Sequence, residues 1–98
     1  MDDDAELRDV FRDEARRRVR EMAKAVRGQS GRERIWRHAH SLKGAAGSVG
    51  EGAVERLAQD IAEAVRDEQG RPLPWTDEAR ERVVRDVEKI EDELRRLG

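Results

Sequence analysis

The chain has no cysteine and no tyrosine, and its aromatic residues are one phenylalanine and two tryptophans. Without thiols there is neither a disulfide framework nor thiolate chemistry. With only Phe11, Trp36 and Trp75 as aromatics, the core must be mostly Leu, Val, Ile and Ala, and such a core is small and modestly stable. The only two prolines, Pro72 and Pro74, lie in GRPLPW, which is therefore the one substantial loop. Apolar runs are very short, and no stretch reads as a signal or a membrane span. Neither sign of charge prevails. The 21 basic and 23 acidic residues leave a formal charge of -2, so there is no general reason to expect nucleic acid or an anionic membrane as partner. A soluble, cytoplasmic protein or excised domain is expected.

What is present is periodicity. Hydrophobic residues make up 36% and charged residues 45%, a balance near the border of disorder, but the apolar positions fall in helical stripes. The 98 residues are read as one domain, 1–98. A first helix follows the acidic run Asp2, Asp3, Asp4, which suits a helix N-terminus, and carries Leu7, Val10, Phe11, Ala15, Val19, Met22 and Val26 before Gly28. A second opens at SGRE, where Ser30 and Glu33 have capping-box spacing. Its seam is Ile35, Ala39, Leu42, Ala46 and Val49, closed by Gly50 and Gly52. A third carries Val54, Leu57, Ala58, Ile61 and Val65 and ends near Gly70. After the proline loop, Thr76 caps a fourth helix with Asp77 and Glu78 in its first turn and a seam of Val83, Val87, Ile90, Leu94 and Leu97. Four single-striped helices with short connections predict an all-α, antiparallel up-down four-helix bundle.

The second helix poses the functional question. At about 100° per residue, His40 points roughly 140° away from the seam and so faces solvent. Lys43 and Gly44 flank it on the next turn, Gly47 lies above it, and Trp36 lies one turn below. A helix-interior glycine costs about 1 kcal/mol relative to alanine. On an exposed face, what Gly44 and Gly47 provide in return is a bare surface that another protein can approach. Imidazole side chains titrate near neutrality, so the neutral, nucleophilic form is available at cellular pH. A phosphoryl group on such a ring would bring nearly two negative charges, which an adjacent ammonium stabilises.

The run AHSLKGAAGSVG resembles the signature of histidine phosphotransfer (HPt) domains, especially the first domain of chemotaxis-type histidine kinases. The likeness extends over the whole chain in helix order and length. It implies a four-helix bundle in which His40 is the phosphoacceptor, Lys43 stabilises the phosphate and Gly44 permits close approach. It implies a phosphocarrier without its own ATP site, acting between a histidine kinase and response-regulator receiver aspartates in two-component signalling. In this family a Glu or Gln on the third helix hydrogen-bonds the histidine ring. Ala62 stands at the matching position here, with Gln59 one turn earlier. Gln59, Glu63 or water is left to hold the ring. The departure raises the alternative of a catalytically silent HPt-like module that binds a kinase or receiver only to regulate it.

Other features have plainer readings. His38 sits at the seam edge and points away from His40, so a shared metal site is not expected. KGAAGSVG has its Lys before the Gly and follows no strand, which excludes a P-loop. No metal and no cofactor are expected. Trp36 packs beside the site or meets a partner, and Gly44, Gly47 and Gln59 belong to the same partner-facing patch. Trp75 packs the loop onto the bundle. Arg16, Arg17, Arg18 and Arg20 read as a solvated face. A monomer is expected, because four stripes satisfy one another.

Overall fold

The computed structural model describes residues 3–28 and 31–97. Four helices follow one another: α1 Asp3–Ala25, α2 Arg32–Val49, α3 Gly52–Val65 and α4 Asp77–Leu97. Each packs on its neighbours in the chain and α1 closes on α4, while among the described residues the backbones of the diagonal pairs stay apart. This is an antiparallel up-down bundle.

The predicted seams meet at its centre. Met22 and Val19 of α1, Ile35 and Leu42 of α2, Val54 and Ile61 of α3, and Val83 and Ile90 of α4 are essentially sealed from water. Ala15, Ala39, Ala46 and Ala58 are also sealed and let the helices approach closely. Truncating a sealed residue such as Leu42 to alanine costs about 2–5 kcal/mol. Trp75 joins the margin of this core and its Nε1 donates to the carbonyl of Gly28 at 3.3 Å, which ties the proline loop to the end of α1.

Several boundaries differ from the sequence expectation. Leu7 and Val10 lie on the predicted stripe of α1 yet are 57% and 66% exposed. Phe11, next to Val10, is buried, so the bundle reaches this height, and Val10 is exposed because it is turned about 100° away from Phe11. Leu7 lies in the first turns of α1 beside Ser48 and Val49 at the end of α2. Leu97 is exposed at the last residue of α4. Asp2 and Ser30 fall outside the described residues. Among the described residues, the N-cap of α2 is Gly31, with no side-chain cap. A Cβ on Gly31 would sit 1.8 Å from the Ala25 carbonyl oxygen, so the close crossing of backbone there admits only glycine.

Gly50 ends α2 in the left-handed region, with φ 77°, and the amide of Glu51 reaches back to the Ala46 carbonyl at 2.9 Å. Gly52 does not close α2 but begins α3. Helix α3 stops at Val65, not near Gly70, because the chain folds back on itself. Leu73 N–H donates to the Val65 carbonyl at 2.9 Å, and Asp67 Oδ1 accepts from the amides of Gln69 and Arg71. The predicted cap of α4 holds, with Thr76 Oγ1 accepting from Ala79 N–H at 3.1 Å.

Candidate functional site

His40 stands in the middle of α2 on the side away from the core and is exposed. Ile35, Ala39, Leu42 and Ala46 face inward on the same helix and fix its rotation. Lys43 is half-buried one turn further on and makes no ion pair among the described residues. Gly44 is exposed, and a Cβ there would meet no atom within 4 Å. Gly47 is exposed too but is not open in the same way. A Cβ at Gly47 would lie 2.9 Å from Glu55 Oε2, so this glycine makes room for a side chain of α3.

An open cleft of about 660 Å³ lies between α2, α3 and the α3–α4 loop, with His40, Trp36, Gln59, Ala62, Glu63, Arg66 and Arg82 among its walls. Gln59 does reach this site, but its Nε2 donates to Glu63 Oε2 at 2.6 Å and not to the imidazole. Ala62 is half-buried and offers no acceptor. No hydrogen bond fixes the His40 ring among the described residues. Trp36 stacks on it instead, with ring centroids 4.7 Å apart and planes 11° apart. The Arg66 guanidinium lies 3.7 Å from the centroid of the same indole and is held by Glu33 at 2.6 Å. Sequence spacing placed Trp36 beside the site but did not reveal the stack. The i, i+4 relation of Trp36 to His40 was the available signal.

Both cations of the cleft are already paired. Arg82 grips Asp60, Nε to Oδ2 at 3.0 Å and Nη2 to Oδ1 at 2.5 Å. The hydrogen bond from Arg82 holds the Asp60 carboxyl below its usual range, and a further one from Asp86 adds to this. Asp86, on α4, is 6% exposed and its pKa is raised, first by burial and then by Asp60. Its buried Oδ2 has no donor to accept from. A protonated Asp86 carboxyl can donate to Asp60, the pairing that raises the pKa of Asp86 and lowers that of Asp60. This buried acid sits at i+3 from Val83 and i−4 from Ile90, on the edge of the apolar seam of α4.

His38 is half-buried and its Nδ1 lies 3.2 Å from Arg18 Nη1. Burial, reinforced by Arg18, pushes its pKa down. Arg18 is accordingly not part of a solvated face, since it is half-buried and also bridges to Glu14 at 3.0 Å; Arg16, Arg17 and Arg20 are exposed. No group of three or more His, Asp or Glu side chains gathers to hold a metal ion among the described residues. No described helix is long and apolar enough to cross a membrane.

No curated protein and no solved structure matches the chain significantly. The family model of the Hpt domain matches residues 6–97, from the second turn of α1 to the last residue of α4. With a four-helix bundle, an exposed mid-helix histidine and a match of that extent, the chain belongs to the Hpt domain family, whose members are phosphocarriers in the histidine phosphotransfer of two-component signalling.

Proposed function

We propose that His40 is the phosphoacceptor and that the chain, residues 1–98 as one domain, carries a phosphoryl group between a histidine kinase and the aspartate of a response-regulator receiver domain. The observation that carries this reading is the exposed imidazole of His40 with Lys43 one turn away and unobstructed backbone at Gly44. In transfer from a receiver, a ring nitrogen bonds to phosphorus as the acyl-phosphate P–O bond breaks and the aspartate leaves as carboxylate. Return transfer reverses this, breaking the P–N bond. Lys43 offsets the charge of the phosphoryl group held on the ring. The chain acts as a cytoplasmic monomer, and its partner-facing patch comprises Trp36, Gly44, Gly47 and Gln59 beside His40. Transient encounters of this type need only a small interface.

The test is incubation with a cognate kinase and ATP, followed by detection of acid-labile, base-stable phosphate. Label is expected on the wild type and lost in His40→Ala; label retained in that variant overturns the assignment. A second reading, a silent module that only binds kinase or receiver, is favoured by one observation, the lack of a hydrogen bond to the His40 ring. Binding to a partner without any labelling of the wild type would establish it in place of the first.

A further inference from the structure

An acceptor histidine needs its ring held in one orientation, because misplacing a nucleophile by about 1 Å costs on the order of a hundredfold in rate. The position from which a third-helix side chain would hold the ring is Ala62, and the neighbouring Gln59 and Glu63 are bonded to each other. What touches the ring is Trp36. Its plane lies 11° from that of His40 at a centroid distance of 4.7 Å, within the range of a stacked aromatic pair.

The indole is itself held. It is half-buried against the core. The guanidinium of Arg66 lies over it at 3.7 Å, a cation–π distance. Glu33, one turn before Trp36 on α2, anchors that guanidinium through both carboxylate oxygens at 2.6 Å. Arg66 Nε is buried with no hydrogen-bond partner, so the guanidinium sits where the indole and Glu33 place it and not where its own bonding would be fullest. The series Glu33, Arg66, Trp36, His40 thus links α2 to the end of α3 and terminates on the imidazole.

We infer that Trp36 is the positioning residue of His40, fixing the plane of the imidazole through its face in place of a hydrogen-bonding side chain. The geometry has a chemical consequence. The nitrogen lone pair of imidazole lies in the ring plane, so a stacking partner orients the ring without occupying either nitrogen. Among the described residues neither nitrogen is taken up by a hydrogen bond, and the stack imposes neither tautomer. The inference rests on the reading of His40 as phosphoacceptor.

Phosphoramidate is the probe, because a small donor docks on no protein surface and separates ring positioning from partner contact. A neutral ring nitrogen bonds to phosphorus, the P–N bond of the donor breaks, ammonia departs with the bonding pair, and the other ring N–H yields its proton to water. Labelling rates are measured for wild type, Trp36→Phe and Trp36→Leu, alongside the ring-proton NMR signals of His40 and His38. Trp36→Leu is expected to slow labelling about tenfold and to move the His40 signals downfield, out of the indole ring current, leaving those of His38 in place. Trp36→Phe, which keeps an aromatic face, is expected to stay within about threefold of wild type. Equal rates in wild type and Trp36→Leu, or His40 signals that do not move, overturn the inference while His40 remains the acceptor. No label on wild-type His40 sinks the phosphoacceptor reading itself.

Discussion

The carboxylate of Glu55 on α3 lies over Gly47 on α2, so close that a Cβ at position 47 would come within 2.9 Å of Oε2. Gly44, one turn earlier on the same face, has nothing within 4 Å of a Cβ. The two exposed glycines therefore do different things. Gly44→Gln removes a helix-interior glycine and is expected to raise stability by up to about 1 kcal/mol. It also puts a long side chain beside His40, so receiver-dependent transfer is expected to fall at least tenfold, on the order of the cost of misdocking. Gly47→Ala requires Glu55 to shift and gains less stability than Gly44→Ala. Chemical denaturation and a receiver transfer assay check both. Comparable losses of stability and transfer in Gly44→Gln would mean that this glycine serves packing.

Lys43 has no carboxylate partner among the described residues, so its removal leaves no charge stranded. Lys43→Ala is expected to leave the helical CD signal and unfolding midpoint near those of wild type. Phosphorylation of His40 is expected to slow by about a hundredfold, the low end of the cost of deleting one electrostatic contact to a reacting centre, because Lys43 is only half-buried. Lys43→Arg, which keeps the charge, is expected to recover part of the rate. Unchanged kinetics in Lys43→Ala would remove the ammonium from the mechanism.

Much of this was legible in the residues alone. The spacing of Ile35, Ala39, Leu42 and Ala46 gave the rotation of α2, and with it the exposure of His40. Thr76 announced the start of α4. What could not be read were effects that depend on neighbours distant in sequence. The stripe of α1 runs through Val10 and Phe11 alike, and spacing alone does not show that the bundle buries Phe11 and leaves Val10 in solvent. Gly31 carries no helical signal, because its necessity comes from the Ala25 carbonyl against it. The support of Trp36 by Arg66 joins residues 30 positions apart, and the burial of Asp86 depends on how α3 meets α4.

Ala62 is half-buried and lines the same cleft as His40. Ala62→Glu introduces the acceptor that this site lacks. With the Trp36 stack already orienting the ring, the gain in labelling rate is expected to be small in the wild-type background, within about threefold. In Trp36→Leu the same substitution is expected to restore more, because two devices for one task are not additive. The double-mutant cycle, read by phosphoramidate labelling, measures that coupling. A large slowing in Ala62→Glu alone would place residue 62 away from the approach to the ring.

Asp86 gives the bundle a pH dependence of a particular sign. Burial, then the hydrogen bond and charge of Asp60, raise its pKa above the ordinary 3.8, while Lys89 and Arg82 oppose the shift. The folded state therefore binds the proton more tightly than the unfolded chain does. Its contribution to stability is complete below the unfolded value and is lost as pH rises from there toward the raised folded value. His38 acts in the opposite direction: its lowered pKa gives stability that is complete above 6.5 and lost as pH falls toward the lower folded value. Asp86→Asn keeps the shape and a hydrogen-bond donor toward Asp60 but cannot ionise. Because His38 and Asp60 pull the other way, the readout is the difference in denaturation midpoint between Asp86→Asn and wild type, which is expected to move in the variant's favour as pH rises from 3.8 toward about 7, so that near neutral pH Asp86→Asn equals or exceeds the wild type in stability. A wild type whose stability rises through that range, with Asp86→Asn less stable than it at neutral pH, would mean that Asp86 is folded as the carboxylate and that Arg82 satisfies both acids together.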